Sequence, residues 1–171
     1  MTDMTQDPSA GHSARPAGVP PPILGTSGEQ PATEANRATV RAAFQAWQDG
    51  TGTIISLFAP DMVWRIEGHS AASKEYGNRQ EFINEVLAPF GARFGAGKQF
   101  RPVRIRSIHA DGDTVIVLWD GRGTAIDHTT YENSIAWFMQ MRDGKVIDGT
   151  AFYDSISFNE LWTKVTPRPL P

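Results

Sequence analysis

The sequence has 171 residues, 40% hydrophobic and 10% aromatic, with a formal net charge of -3; this suffices for one domain with a sizeable core but gives no basic surface for nucleic acid. It contains no cysteine, which excludes disulfides, thiol nucleophiles and cysteine-based metal sites. No apolar run approaches the roughly eighteen residues that span a bilayer, and the N-terminus lacks a basic segment followed by an apolar stretch, so we expect a cytoplasmic protein without a membrane partner.

The first 36 residues differ in composition from the rest of the chain. They hold half of the twelve prolines and no aromatic residue, so they cannot bury enough apolar area to offset the entropy of ordering them. We therefore predict a flexible tail over residues 1–36, in which the Pro-Pro-Pro-Ile-Leu run at 20–24 is the one element able to dock on the body. The folded domain is predicted at 37–164 and a C-terminal tail at 165–171.

The predicted body begins with an amphipathic helix. Thr33 or Asn36 can cap its N-terminus, because a short polar side chain accepts a hydrogen bond from the free backbone N–H groups there. Spacings of four and three residues place its large apolar residues on one face: Val40, Phe44 and Trp47. The Asp-Gly pair at 49–50 ends the helix, and a second short helix is predicted at 53–58.

A strand and a third helix follow. Residues 62–68 alternate as a strand does, with Trp64 and Ile66 on the same face. Asn78 and Glu81 have the spacing of a capping box, which predicts the start of the helix. The later strands are predicted at 99–110, 114–125, 131–141 and 145–156.

The last two predicted strands form the most informative pattern in the sequence. Both alternate between apolar and polar residues, and Asp143-Gly144 lies between them. Asp-Gly between two such runs predicts a tight β-hairpin. Because helices come first and antiparallel strands later, the predicted fold class is α+β, with a curved mixed β-sheet wrapped around the N-terminal helices.

Several short motifs occur in an order that resembles a known superfamily. They are Phe58-Ala59-Pro60-Asp61 before Trp64-x-Ile66-x-Gly68, Tyr76-Gly77-Asn78-Arg79, Asp143-Gly144-Lys145 and Tyr153-Asp154. Over residues 37–164 the chain resembles nuclear-transport-factor-two-like (NTF2-like) proteins, ketosteroid isomerases, limonene-type epoxide hydrolases and SnoaL-like polyketide cyclases. This resemblance implies an open cone with an internal pocket for a small apolar molecule, no cofactor, and a homodimer formed through the outer face of the sheet.

The resemblance also implies positions for catalytic groups, and the sequence departs from each pattern. By analogy with limonene-type epoxide hydrolases, the face of the 114–125 strand that carries Asp120 is the inner one. The Arg position of those enzymes holds Leu118, and their second Asp position holds Ala151. The His-Trp-Asp of many SnoaL-like cyclases is missing from the last strand, and the position of the ketosteroid isomerase base falls near Ile66.

Asp120 therefore remains as the candidate catalytic acid or base. An apolar cone disfavours the charged form of a carboxyl group, so we expect its pKa to rise towards neutrality. The competing interpretation is that Asp120 is the structural partner of Arg122, two residues later on the same face. Tyr131 and Tyr153 are the other candidate catalytic residues, because their hydroxyl groups, together with the amide of Asn133, can donate hydrogen bonds to a ligand carbonyl or enolate.

A further set of residues is predicted to contact the ligand without reacting. This set is Trp64, Ile66, His69, Leu118, Asn133, Ile135 and Trp137. His69 is placed at the pocket mouth, where an imidazole can either shuttle protons or be simply solvated. No histidine and carboxylate have the short helical spacing of a metal site, so no metal is predicted.

Two functional hypotheses follow. The first is a cofactor-free acid/base enzyme of the isomerase, cyclase or hydrolase type, acting on a small hydrophobic substrate. The second is a non-catalytic binding module that holds an apolar ligand or a protein partner. In either case Val115, Val117 and Trp119 are predicted to form an apolar outer sheet face, which favours a homodimer.

Overall fold

The computed structural model describes residues 29–169. Its helices are α1 (Glu29–Asp49), a 3₁₀ helix (Ile54–Leu57), α2 (Arg79–Phe82), a π-helical turn (Ile83–Leu87), α3 (Ala88–Gly91) and α4 (Ser155–Lys164). Within this part of the chain, no helix is both long and apolar enough to cross a membrane. The predictions for residues 1–28, including docking of the 20–24 run, and for residues 170–171 lie outside the described residues.

Six strands form one open mixed sheet. They are β1 (Phe58–Ile66), β2 (Glu75–Tyr76), β3 (Arg101–Asp111), β4 (Thr114–Thr124), β5 (Thr130–Arg142) and β6 (Lys145–Tyr153). Their order in the sheet is β2-β1-β6-β5-β4-β3. The β1 and β6 strands are parallel, and all other neighbours are antiparallel. The predicted α+β fold class is confirmed.

The hairpin between β5 and β6 has the predicted turn. Arg142 pairs with Lys145, and the two residues between them have positive φ angles of 51° at Asp143 and 71° at Gly144. Positive φ at both central positions defines the turn whose twist matches that of the flanking strands. This turn sets the register that brings the inward-facing residues of β5 and β6 together.

Helix α1 begins earlier than predicted and belongs to the body from its first turns. Thr33 and Asn36 lie inside the helix rather than at its cap. The Thr33 hydroxyl accepts a hydrogen bond of 2.8 Å from the backbone N–H of Gly112, and Asn36 Nδ2 donates one of 3.1 Å to the Gly112 carbonyl. Placing residues 29–36 in a flexible tail was therefore wrong, because their polar side chains fasten α1 to the turn between β3 and β4.

Asn78 caps α2 as predicted, and Glu81 returns a hydrogen bond to the residue before the cap and not to the cap itself. Asn78 Oδ1 accepts a hydrogen bond of 2.8 Å from the backbone N–H of Glu81, and Glu81 Oε2 accepts one of 2.8 Å from the N–H of Gly77. Two backbone donors that have no partner within the helix are thereby satisfied.

Helix α4 was missed by the sequence prediction, which extended the last strand to Ile156. The strand ends at Tyr153 because Asp154 caps a helix: one carboxylate oxygen accepts from the N–H of Ile156 (2.9 Å) and the other from the hydroxyl of Ser157 (2.6 Å). A carboxylate at a helix N-terminus is favoured by the free N–H groups and by the helix dipole.

The segment that follows α4 packs on the body. Val165 is buried, and Arg168 donates hydrogen bonds from its backbone N–H to the Ala92 carbonyl (3.0 Å) and from its guanidinium to the Phe94 carbonyl (2.9 Å). The predicted C-terminal tail is therefore fastened to the end of α3 as far as Arg168.

The two faces of β4 are the reverse of the prediction. Val115, Val117 and Trp119 are buried in the core, whereas Asp120 lies on the opposite face of the sheet. The inner face continues through Gly121, where a Cβ atom would overlap the ring of Phe100. Aromatic rings from elsewhere in the fold thus cover this face, so it cannot form a dimer interface.

The core is built largely from aromatic rings. Trp137 in the middle of β5 has ring neighbours from α1, the β1 strand and β4: Phe44, Trp47, Phe58, Trp64 and Trp119. The ring of Trp64 lies directly over Gly149 of β6, at a position where any Cβ atom would overlap it. The glycine is therefore required for close packing of Trp64 on the sheet.

We predict that Gly149→Ala destabilises the protein by about 1–3 kcal/mol, because the added methyl group must displace the buried Trp64 ring. Denaturant unfolding checks this. The matched control is Gly91→Ala at the end of α3, where no described atom outside its own helix lies within 4 Å of the new methyl group. There we expect an unchanged or slightly higher free energy of unfolding, and equal losses in both variants would contradict the packing argument.

Candidate functional site

A cavity of about 210 Å³ lies between the inner face of the sheet and the helices. Its walls include four of the five tryptophans of the chain: Trp47, Trp64, Trp119 and Trp137. The phenyl rings of Phe82, Phe90, Phe100 and Phe158 complete much of the remaining surface. The cavity is therefore bounded by flat aromatic side chains that also form the core.

Among the described residues, no acidic, basic or histidine side chain lines this cavity. Its side-chain hydroxyl groups belong to Thr53, Tyr131 and Tyr153. The indole N–H groups of Trp64 and Trp119 are also buried, and no described residue accepts a hydrogen bond from them. The cavity can therefore orient a molecule by hydrogen bonds but offers no charge to it.

Tyr131, in the cavity wall, is held by a hydrogen bond from the side-chain amide of Asn133. Asn133 Nδ2 donates to the Tyr131 hydroxyl oxygen (2.8 Å) and to the Asp154 carbonyl (3.0 Å), and Asn133 Oδ1 accepts from the backbone N–H of Asp154 (2.9 Å). No described residue accepts the hydrogen of the Tyr131 hydroxyl. Burial raises the pKa of Tyr131 to about 12, so this hydroxyl is a neutral donor at any physiological pH.

Tyr153 supplies the second phenol of the cavity. Its hydroxyl oxygen lies 2.9 Å from Ser70 Oγ in the loop between β1 and β2. Burial raises the pKa of Tyr153 above its usual range, and negative charge on the nearby Tyr131 would raise it further. Both phenols therefore stay protonated together.

The structure brings six of the predicted site residues to this cavity: Trp64, Ile66, Tyr131, Ile135, Trp137 and Tyr153. Asn133 lies directly behind Tyr131 and orients it. Asp120, Leu118 and His69 are not part of the cavity wall. The roles of the residues that do meet there remain predictions.

Asp120 lies on the outer face of the sheet, where Arg106 forms two hydrogen bonds with its carboxylate (2.5 and 2.9 Å) and Ser134 donates a third (2.8 Å). The hydrogen bonds from Arg106 hold the pKa of Asp120 below its usual value, so the expectation of a raised pKa was wrong. Arg122 pairs with Glu132 instead. Asp120 is opposite Arg104 in the ladder, and Arg106 follows two residues later on β3, at a register shift between Ile105 and Ser107. Leu118 lies on the same outer face as Asp120.

His69 is exposed in the loop between β1 and β2 and is not at the cavity. Asn159 of α4 fastens this loop, since its side chain donates to the His69 carbonyl (3.2 Å) and accepts from the Ala71 N–H (2.7 Å). The loop residue that does reach a cavity residue is Ser70. The sequence offered only its proximity to His69 as a signal, and its partner Tyr153 is 83 positions away.

Comparison with known proteins identifies the fold. A SnoaL-like domain family profile matches residues 40–149. Bal32a, from a soil-derived mobile gene cassette, has a TM-score of 0.62 at 22% identity, covering 77% of this chain and 98% of its own. An NTF2-like protein from Burkholderia xenovorans LB400 has a TM-score of 0.57 at 18% identity, and the match covers 77% of this chain and 98% of that protein. TerC, co-crystallised with polyporic acid, has a TM-score of 0.56 at 23% identity, and the match covers 75% of this chain and 98% of TerC. No curated protein matches the chain.

We predict that Asp120→Asn lowers the free energy of unfolding at pH 7 by no more than about 1 kcal/mol, because the Arg106 pair is partly exposed to solvent. Since the folded-state pKa of Asp120 is lowered, its contribution is present above the unfolded value of about 4 and is lost as the pH falls through the folded value. Urea unfolding at several pH values checks this. A loss of several kcal/mol would contradict the placement of Asp120 on the surface. The control is Glu132→Gln in the neighbouring ion pair, for which we expect a smaller change in the free energy of unfolding.

Proposed function

Because the chain belongs to the SnoaL-like domain family, we propose that it binds a small, uncharged, largely aromatic molecule that presents a carbonyl or similar acceptor to Tyr131. The observation that carries the proposal is the buried Tyr131 hydroxyl, whose hydrogen no described residue accepts, in the wall of a cavity lined mostly by apolar side chains. A buried donor without an acceptor is costly, so a ligand acceptor at this position gains a hydrogen bond that the protein alone leaves unmade.

The chemistry of the walls supports the choice of ligand. An ionised ligand would lose its hydration in a cavity where no described side chain carries the opposite charge. Flat rings such as those of Trp47 and Phe90 favour a flat partner, because aromatic groups pack in offset-stacked or edge-to-face geometry. TerC, which has a similar fold, was co-crystallised with a small organic molecule, polyporic acid.

A second candidate function is catalysis on the same ligand. With Asp120 outside the cavity, we no longer propose it as the acid or base. A neutral tyrosine donor aimed at a carbonyl oxygen can stabilise the negative charge that develops there during enolisation or ring closure. Because no carboxylate or imidazole among the described residues lines the cavity, we rank the binding function above an isomerase, cyclase or hydrolase activity.

We also propose a homodimer formed through the outer face of the sheet, now with different contact residues. Phe138 and Phe152 lie exposed on that face with their rings 5.7 Å apart. Leu118 and Ile116 are their neighbours on the same face of β4. Adjacent exposed phenyl rings on an antiparallel sheet are typical of a surface that a second copy covers.

We predict that Tyr131→Phe weakens the binding of 2-acetylnaphthalene about tenfold, the size of one hydrogen bond, and leaves 2-isopropylnaphthalene unaffected. The first probe has a carbonyl oxygen and the second has the same shape without it. Because the pKa of Tyr131 is about 12, the wild-type affinity for both probes stays constant from about pH 6 to pH 9. Isothermal titration calorimetry measures all of these.

The matched control for this test is Tyr76→Phe. Tyr76 is also buried, but its hydroxyl donates to the Ala72 carbonyl (2.7 Å) and the residue does not line the cavity. We expect unchanged affinity for both probes in this variant. If the wild type binds neither of the two probes, the proposed function is contradicted.

We predict that the wild type sediments at micromolar concentration with twice the 18.8 kDa mass of one chain, and that Phe152→Ser sediments as the monomer. The substitution removes half of the exposed phenyl pair from the outer face. Ile156→Ser is the control, because Ile156 is more exposed, at 75%, but lies on α4 rather than on the sheet. A monomeric wild type would argue against this interface.

A further inference from the structure

We propose that Tyr153 acts in the cavity only as a hydrogen-bond acceptor and selects ligands that present a hydroxyl group to it. A chain of serine hydroxyls fixes the direction of the hydrogen on Tyr153. The proposal rests on the proposed ligand-binding function of the cavity and adds a second polar group to the class of ligand.

The direction is set at the far end of the chain, in the loop between β1 and β2. In the proposed chain Ser73 donates its single hydrogen to the backbone carbonyl of Glu67, which can only accept and lies 3.3 Å from Ser73 Oγ. The Ser73 oxygen is then left as an acceptor. It receives a hydrogen bond of 2.9 Å from the backbone N–H of Ser70.

The second link joins the two serine hydroxyls. Ser70 Oγ lies 2.9 Å from Ser73 Oγ, a distance at which either hydroxyl could donate, and with the hydrogen of Ser73 on Glu67 the donor is Ser70. The Ser70 oxygen in turn accepts from the backbone N–H of Ala72 (3.3 Å). Both serine hydroxyl groups thus direct their hydrogens away from the cavity.

The third link reaches the cavity. Tyr153 Oη lies 2.9 Å from Ser70 Oγ. Since the hydrogen of Ser70 is directed to Ser73, Tyr153 donates to Ser70. The Tyr153 oxygen therefore offers only lone pairs to a molecule in the cavity. Tyr131 has the opposite polarity, because its oxygen already accepts from Asn133 and no described residue accepts its hydrogen.

The two tyrosines together specify a ligand more narrowly than either alone. A molecule with a carbonyl at Tyr131 and a hydroxyl at Tyr153 pairs with both, whereas the methyl ether of that hydroxyl presents an acceptor to an acceptor. We therefore assign the ligand class as aromatic hydroxy-carbonyl compounds. Ser70 and Ser73 are positioning residues for this selectivity, because they act only through Tyr153.

The test compares 2-naphthol with 2-methoxynaphthalene by isothermal titration calorimetry on the full chain. We expect the wild type to bind 2-naphthol about tenfold more tightly than its methyl ether, as one hydrogen bond implies. Tyr131→Phe keeps this ratio, since the group that discriminates is Tyr153. In Tyr153→Phe the ratio falls to near one.

The serine variants separate selectivity from structure. In Ser70→Ala the Tyr153 hydrogen loses its acceptor and becomes free to donate to the ether oxygen, so the ratio falls to near one. In Ser73→Ala the hydrogen of Ser70 can turn to Tyr153, with the same result. Ser134→Ala, on the outer face beside Asp120, is the matched control and keeps the wild-type ratio. A purely structural role for the serines would weaken both probes equally.

Two outcomes overturn the proposal: equal affinities of the two probes in the wild type, or a wild-type ratio that persists in Ser70→Ala and in Tyr153→Phe. Binding of the hydrocarbon 2-isopropylnaphthalene distinguishes the two levels of the argument, because it has no polar group. If it binds while the hydroxyl preference is missing, the cavity function stands and the selectivity is wrong. If no probe binds, both are overturned.

Discussion

The packing of aromatic rings around Trp137 is the interaction on which the rest of the structure depends. This one side chain meets rings carried by the first helix, the β1 strand and β4, and it also forms part of the cavity wall. The core and the candidate site are therefore built from the same residues. A change in the shape of the cavity is also a change in the core, and it carries the cost of repacking a dense interior.

A second dependence links the two tyrosines of the cavity wall through α4. Asn133 binds both Tyr131 and the backbone of Asp154, and Asp154 caps α4. Within the same helix, Asn159 holds the loop that carries Ser70, the partner of Tyr153. The helix thus fixes the positions of both phenols although it supplies neither. Such support from outside the wall is what keeps polar groups in a defined geometry.

The features that the sequence could predict are those decided by neighbours along the chain. The Asp143-Gly144 turn and the Asn78 cap depend on a few adjacent residues, and both are present as predicted. Which face of β4 is the inner one depends on what covers it. The predicted alternation of Val115, Val117 and Trp119 is present, but these residues face the core and not the outside. The analogy with limonene-type epoxide hydrolases placed Asp120 inside, whereas charged residues such as Asp120 and Arg122 usually face water. The Arg106 partner depends on how β3 pairs with β4, which no local pattern along the chain shows.

The distribution of tryptophan gives the protein an optical property of its own. Four of its five indoles line the cavity, and the fifth, Trp162, lies under the guanidinium of Arg93 at 4.0 Å. Indole emission responds to the polarity of its surroundings and to nearby rings that quench it. Replacing Trp162 by phenylalanine would leave a chain whose tryptophan fluorescence arises from the cavity wall alone, so that filling or emptying of the cavity could be followed in real time without any attached dye.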